Sequence, residues 1–173
     1  MMSAGLRRES VLESIRVADV AVSASALAER FSVSRQVIVG DVALLRAQGF
    51  EIVATARGYV MPTLRDTNRF VGKAACSHDP ADTRSELYCM VDLGAQVVDV
   101  IVEHEVYGEM TGQLNLRTRQ DVDLFIDRVE LSEIRLLSEL TDGVHLHTLA
   151  CRDKNHFDEV IQKLRNEGFL LQD

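Results

Sequence analysis

The sequence has no tryptophan, two prolines and three cysteines in 173 residues. Cys76, Cys89 and Cys151 are odd in number and form no C-x-x-C pair, which argues against a disulfide framework. Long apolar runs are missing, so no segment reads as a membrane span. The N-terminal stretch is interrupted by Arg7, Arg8, Glu9, Glu13 and Arg16 and therefore lacks the apolar region of a secretory signal. These absences predict a cytoplasmic protein without membrane association. Lysine is absent from residues 1–65, where eight arginines face six acids, a balance of +2 within a chain whose net charge is −8. Such asymmetry predicts that the first part faces an anion while the acidic remainder has another task.

What is present in the first part is a succession of helix signals. Val11, Leu12 and Ile15 recur at helical spacing, predicting a helix over 7–18. Ser23 is a good N-cap for a short second helix with Leu27, Ala28 and Phe31 inward. Ser32-Val33-Ser34 forms a tight connection, and Ser34 caps a third helix over 35–48 with Ile38, Val42 and Leu45 on its buried side. Gly49 stands where a helix-ending glycine belongs. Residues 50–54 and 59–61, joined by a turn at Arg57-Gly58, read as a hairpin. Three helices and a hairpin make a winged helix-turn-helix. Its third helix is expected to show Arg35, Gln36, Val39, Gly40 and Ala43 outward. Arg35 and Gln36 would reach guanine and adenine edges, Ser34 and Val39 would flank them, and Arg57 would touch the DNA backbone from the wing.

Residues 63–69 lack a clear period and read as a linker, which places domains at 1–64 and 65–173. The second domain interleaves a strand over 70–77, a helix from Pro80 to about Leu93, and a β-branched strand over 96–103. A loop or short strand near Tyr107-Gly108-Glu109 leads to a helix over 118–130. An irregular stretch precedes a strand through His145 and His147, followed by a helix over 154–166 and a short terminal strand at 169–171. The whole predicts an α+β protein, a winged helix-turn-helix followed by an α/β two-layer sandwich.

The stretch T-D-G-V-H-L-H-T-L, residues 141–149, runs from a turn into an alternating strand. Side chains two apart on a strand leave the same face, so the His145 and His147 imidazoles point together. His78, at the end of a strand, and Glu86, in the helix that follows, join them as candidate ligands. Three imidazoles and a carboxylate suit zinc, nickel, iron(II) or manganese. Cys76 and Cys151 read as small buried hydrophobes, and His104 and His156 as structural. Tyr107, Arg117 and Arg119 are candidate effector contacts.

These residues resemble a known family. S-R-Q-V-I-V-x-D-V-A-L-L-R-A-Q-G-F (Ser34–Phe50) and A-T-A-R-G-Y (Ala54–Tyr59) are similar to the winged domain of the niacin-responsive repressors (NiaR). H-D-P-A-D-x-x-S-E-L (His78–Leu87), V-x-D-V-I-V-E-H-E-V-Y-G-E (Val97–Glu109) and L-S-E-L-T-D-G-V-H-L-H-T (Leu137–Thr148) resemble its three-histidine (3H) domain. The resemblance implies a homodimeric repressor of NAD-synthesis or niacin-uptake genes, acting on a palindromic operator with nicotinic acid or nicotinamide as corepressor. It also implies a divalent metal, nickel foremost, on His78, Glu86, His145 and His147. Gly40, Ala56, Glu105 and Leu136 depart from the family pattern; none is a proposed ligand. A metal-sensing regulator stays open. A biotin ligase and a metal hydrolase are disfavoured, because the substrate loop and general-base motif they require are missing.

Overall fold

A computed structural model describes residues 3–62 and 69–172, so all of the expected linker except Arg69 lies outside the described residues. The chain divides into two compact units, Met1–Leu64 and Arg65–Asp173.

In the first unit, α1 (Ala4–Arg16), α2 (Ala24–Arg30) and α3 (Arg35–Ala47) precede a hairpin of β1 (Val53–Thr55) and β2 (Gly58–Val60). Each helix starts on a serine whose hydroxyl accepts a backbone N–H of the first turn: Ser3 from Leu6, Ser23 from Ala26 and Ser34 from Val37. These caps satisfy N–H groups that the helix itself leaves open. Val11, Ile15, Leu27, Ile38, Val42 and Leu45 close the core together with Ile52 and Tyr59. Burying each large aliphatic chain contributes about 1.5–3 kcal/mol. Tyr59 also exchanges backbone hydrogen bonds with Val22 at 2.8 and 2.9 Å, which ties the wing to the segment before α2. That approach needs a glycine next door. Gly58 has φ +133°, and a Cβ there would lie 2.5 Å from the Val22 carbonyl oxygen.

The second unit is a four-stranded antiparallel sheet with helices packed against it. Its strands are β3 (Phe70–Ser77), β4 (Gln96–His104), β5 (Gly108–Leu116) and β6 (Val144–Cys151), in the order β3-β6-β4-β5. Its helices are α4 (Thr83–Asp92), α5 (Arg119–Ser132) and α6 (Lys154–Asn166). Single 3-10 turns at Pro80–Asp82 and Leu137–Thr141 lead into α4 and β6. A capping box between Thr118 and Asp121 starts α5.

Two features differ from the sequence expectation. The segment after Tyr107 is a nine-residue strand rather than a loop or short strand. Its glycines and polar residues give it little strand preference of its own, and pairing along β4 supplies the order. Moreover, β4 does not alternate simply, because its register shifts between Val97 and Asp99 against both neighbours. The terminal segment makes a single bridge, Leu170 to Cys76, with Ser77 donating to the Phe169 carbonyl and Leu171 to that of Ala75.

Candidate metal centre and nucleic-acid interface

In the first unit, the exposed face of α3 carries Gln36, Gly40, Ala43 and Ala47, with Arg35 exposed in the first turn. The Ser34 hydroxyl is engaged as the cap, 3.3 Å from the Val37 amide. Val39, expected outward, packs partly against the core, because it lies at the margin between the Ile38–Val42 side and the open face. Arg57 sits in the wing turn, and its backbone N–H donates to the Thr55 hydroxyl at 3.2 Å. The inward side of α3 holds a feature that the charge count concealed. Asp41 is buried, and the Arg7 guanidinium donates to its two oxygens at 2.6 and 3.3 Å. Arg8 approaches the same carboxylate at 3.9 Å. This pairing clamps α1 to α3 and fixes the helix that bears Arg35 and Gln36. Its sequence signal is a charged residue standing in the buried stripe of an amphipathic helix.

In the second unit, the four candidate ligands come from three elements. Strand alternation places His145 and His147 on one face of β6, both buried. Glu86, in the first turn of α4, has no exposed surface. His78 follows β3 directly. All three imidazoles converge on Glu86: Nε2 of His78 lies 2.8 Å from Oε2, Nε2 of His145 lies 3.1 Å from Oε1, and Nε2 of His147 lies 3.5 Å from Oε2. The Asp142-Gly143 turn makes this possible. Gly143 has φ +89°, and a Cβ there would lie 2.3 Å from the His78 carbonyl oxygen.

The outer ring nitrogens determine the protonation pattern. Nδ1 of His78, His145 and His147 lies 2.9, 2.8 and 2.7 Å from the carbonyl oxygens of Asp79, Gly143 and Asp99. A carbonyl only accepts, so each Nδ1 carries a hydrogen, and in a neutral ring each Nε2 presents a lone pair to the carboxylate. The register shift in β4 has its use here, since it accompanies an Asp99 carbonyl turned to His147. Such anchoring orients the ring and makes the inner nitrogen a better ligand.

Three lone pairs around a buried carboxylate repel unless protons or a cation stand between them. Burial alone would raise the Glu86 pKa, but the His147 charge and the close approach of the His145 and His78 imidazoles hold it well below the usual carboxylate range. Burial would likewise lower His147 and His78, yet the Glu86 carboxylate outweighs it and raises both. His78 Nε2 and Glu86 Oε2 are close but off the line a hydrogen bond requires, so both atoms are buried without a hydrogen-bond partner. That donor set, with two inward-facing atoms unsatisfied, suits a divalent ion of borderline softness.

Two residues not among the expected ligands belong to this neighbourhood. Cys76, read as a small hydrophobe, is fully buried and stands directly across the β3–β6 ladder from His145. Its sulfur, a Glu86 oxygen and a His145 nitrogen all lie within 4.8 Å of one another. Burial and then the Glu86 carboxylate push its thiol pKa up. Thr83, three residues before Glu86 on α4, holds a buried hydroxyl without a hydrogen-bond partner. Neither carries a motif; register in one case and helical spacing in the other are the available signals.

The remaining candidates lie in other settings. Tyr107 is 76% exposed at the β4–β5 turn, near the His104 ring, whose Nδ1 accepts from the amides of Val106 and Tyr107. The Arg117 amide donates to Asp121 at the start of α5. Arg119 makes two hydrogen bonds to Asp92, at 2.7 and 2.6 Å, and lies over the Tyr88 ring. His156 is structural: its Nε2 donates to the Leu93 carbonyl and its Nδ1 accepts from the Arg152 amide.

Comparison with known proteins agrees with this division. Residues 7–60 match the HTH domain and residues 71–173 match the 3H domain. The chain is 39% identical over 168 residues to the probable transcription repressor NiaR of Thermotoga maritima, covering 96% of this chain and 94% of that protein. It is also 39% identical over 169 residues to the transcription repressor NadR of Bacillus subtilis, with the same coverage. These relatives are regulators rather than enzymes, as the sequence led us to expect.

Proposed function

The chain belongs to the family of helix-turn-helix transcription repressors with a 3H domain, and on that premise we propose that it represses transcription by binding operator DNA under the control of a metal-containing 3H domain. The observation that carries the reading is the convergence of three Nδ1-anchored histidines on buried Glu86. His78, Glu86, His145 and His147 would hold the ion, nickel foremost, with zinc, iron or manganese as alternatives. A bound ion would supply the positive charge that this cluster otherwise obtains only from protons.

On the DNA side, Arg35 and Gln36 read base edges, with Ser34 beginning the helix and Arg57 touching phosphate. Val39, partly buried against the core, would meet the DNA with its exposed part. A homodimer presents two such helices to a palindromic operator. The corepressor is nicotinic acid or nicotinamide, and the controlled genes serve NAD synthesis or niacin uptake. Among candidate effector contacts, Tyr107 is open to solvent and Thr83 offers an unused hydroxyl. The Arg117 side chain is also a candidate. Arg119 would first have to release Asp92.

A thermal-shift screen with nicotinic acid, nicotinamide and divalent metals, with and without chelator, tests the reading. A compound that binds only the native state raises the melting temperature, and niacin is expected to do so in metal-loaded protein. A rise with metal alone and none with either niacin form would favour a metal-sensing regulator instead. No rise with any of them would overturn the reading.

A further inference from the structure

From the position of Cys76 we infer that it supplies a sulfur donor to the metal centre beside Glu86 and the histidines, so that the site prefers thiophilic ions such as zinc, cobalt or nickel over manganese. The inference rests on the proposed metal centre and sharpens which ions it accepts. Three observations carry it.

The first is register. Cys76 and His145 are direct partners in the antiparallel β3–β6 pair, and Ala74 is the partner of His147. Directly opposed residues send their side chains to the same face about 4.5–5.5 Å apart. Cys76 therefore shares the side of the sheet that the histidines use, while Ala74 leaves room beside His147.

The second is distance. The Cys76 sulfur, a Glu86 oxygen and a His145 nitrogen already lie within 4.8 Å of one another. A sulfur at about 2.3 Å and a nitrogen at about 2.1 Å from one ion are separated by at most about 4.4 Å, and by roughly 3.6 Å at a tetrahedral angle. Closing onto an ion thus needs movements of about an ångström or less.

The third is what the sulfur faces. A cysteine serving only as a small apolar filler is expected among hydrocarbon. Cys76 instead has a carboxylate and an imidazole as neighbours, and the carboxylate has an oxygen, Oε2, that is buried without a hydrogen-bond partner. Binding breaks the S–H bond, releases its proton to solvent and leaves the electron pair on sulfur to bond the ion. No oxidant or reductant is involved. Thiolate favours softer ions, whereas manganese favours oxygen donors.

The test is titration of the full chain with cobalt(II), followed by absorption from the near-ultraviolet to the visible. The expected result is visible ligand-field bands together with a near-ultraviolet sulfur-to-cobalt charge-transfer band. The band should persist in a Cys89→Ser, Cys151→Ala variant, whose only remaining thiol is Cys76, and should vanish in Cys76→Val. Cys76→Val should also lower the preference for zinc over manganese. If Cys76→Val fails to fold, the spectra of the wild type and the Cys76-only variant still decide. Ligand-field bands without a charge-transfer band in the wild type would overturn the sulfur donor and leave the metal centre standing. No bound cobalt at all would overturn both.

Discussion

Replacing Glu86 by Gln separates a metal ligand from a buried structural carboxylate, because the two roles predict opposite changes in metal-free protein. Glu86 is fully buried and faces three Nε2 atoms whose rings are turned inward by their Nδ1 hydrogen bonds. A glutamine of the same size removes the buried charge and offers an N–H₂ to those lone pairs. Once the histidines are neutral, Glu86 is a buried charge without an opposite charge beside it, which is costly, and a neutral side chain that hydrogen-bonds in its place relieves that cost. Metal-free Glu86→Gln should therefore melt at or above metal-free wild type near pH 8. With metal the order reverses. At a free metal concentration about 100 times the wild-type Kd, binding adds about 2.7 kcal/mol, a rise of roughly 5–11 °C for a chain of this size. Losing even a group that only supports the ligands costs about 10–100-fold in affinity; loss of the ligand itself should cost at least about 10-fold, leaving roughly 1.4 kcal/mol or less, about half the wild-type rise or less. Scanning calorimetry with nickel and with chelator measures both quantities. A variant that lost several kcal/mol without metal, yet kept the full metal-dependent rise, would refute the reasoning and make Glu86 a structural hydrogen-bond partner.

The same cluster predicts a pH signature. His78 and His147 are raised by Glu86, so their contribution to metal-free stability is complete below about pH 6.5, the unfolded value, and is lost as pH rises through the folded values. While the histidines are protonated Glu86 is depressed, so its contribution is present above about pH 4.3, is lost as pH falls through its folded value, and also goes once the histidines deprotonate at alkaline pH. Metal-free protein should thus lose stability from pH 6.5 upward, while metal-loaded protein should gain it as protons cease to compete; parallel melting curves in the two states would contradict this. On the DNA side, Arg35→Ala should cost about 1–3 kcal/mol and relax preference at one position per half-site. Arg57→Ala should weaken all sequences evenly and flatten the salt dependence; anisotropy titrations at several salt concentrations distinguish the two patterns. Gly40→Ala meets open space and should stabilise α3 by about 0.5–1 kcal/mol, seen as a higher denaturation midpoint of the DNA-binding unit.

Much of this architecture was legible because local rules and tertiary outcome coincide. Ser23 and Ser34 cap where they were expected to cap, α6 spans the expected residues, and the Asp142-Gly143 turn delivers His145 and His147 to one face. What stayed hidden depends on partners distant in sequence. β5 takes its order from β4, and the shift at Val97/Asp99 exists only relative to the neighbouring strands. Asp41 stands in the buried stripe of α3, but its partner Arg7 lies on another helix, and the sequence does not pair them. Cys76 stands two residues before His78, a spacing that fits a buried hydrophobe as well as a ligand, and its relation to His145 is a cross-strand register that the sequence does not show. Val39 shows the limit of reading a helix face from sequence: a position at the margin of the stripe is assigned by the packing around it.

We propose a link between niacin and DNA affinity that runs through the histidine–glutamate cluster. Operator titration by fluorescence anisotropy tests it most directly, with and without nicotinic acid, in metal-loaded wild type, chelated wild type and His147→Ala. Nicotinic acid should tighten operator binding by roughly 5–150-fold in metal-loaded wild type, the range for a coupling of about 1–3 kcal/mol. No such effect is expected after chelation or in His147→Ala, with weak DNA binding retained in both. A niacin response of full size in metal-free protein or in His147→Ala would contradict it.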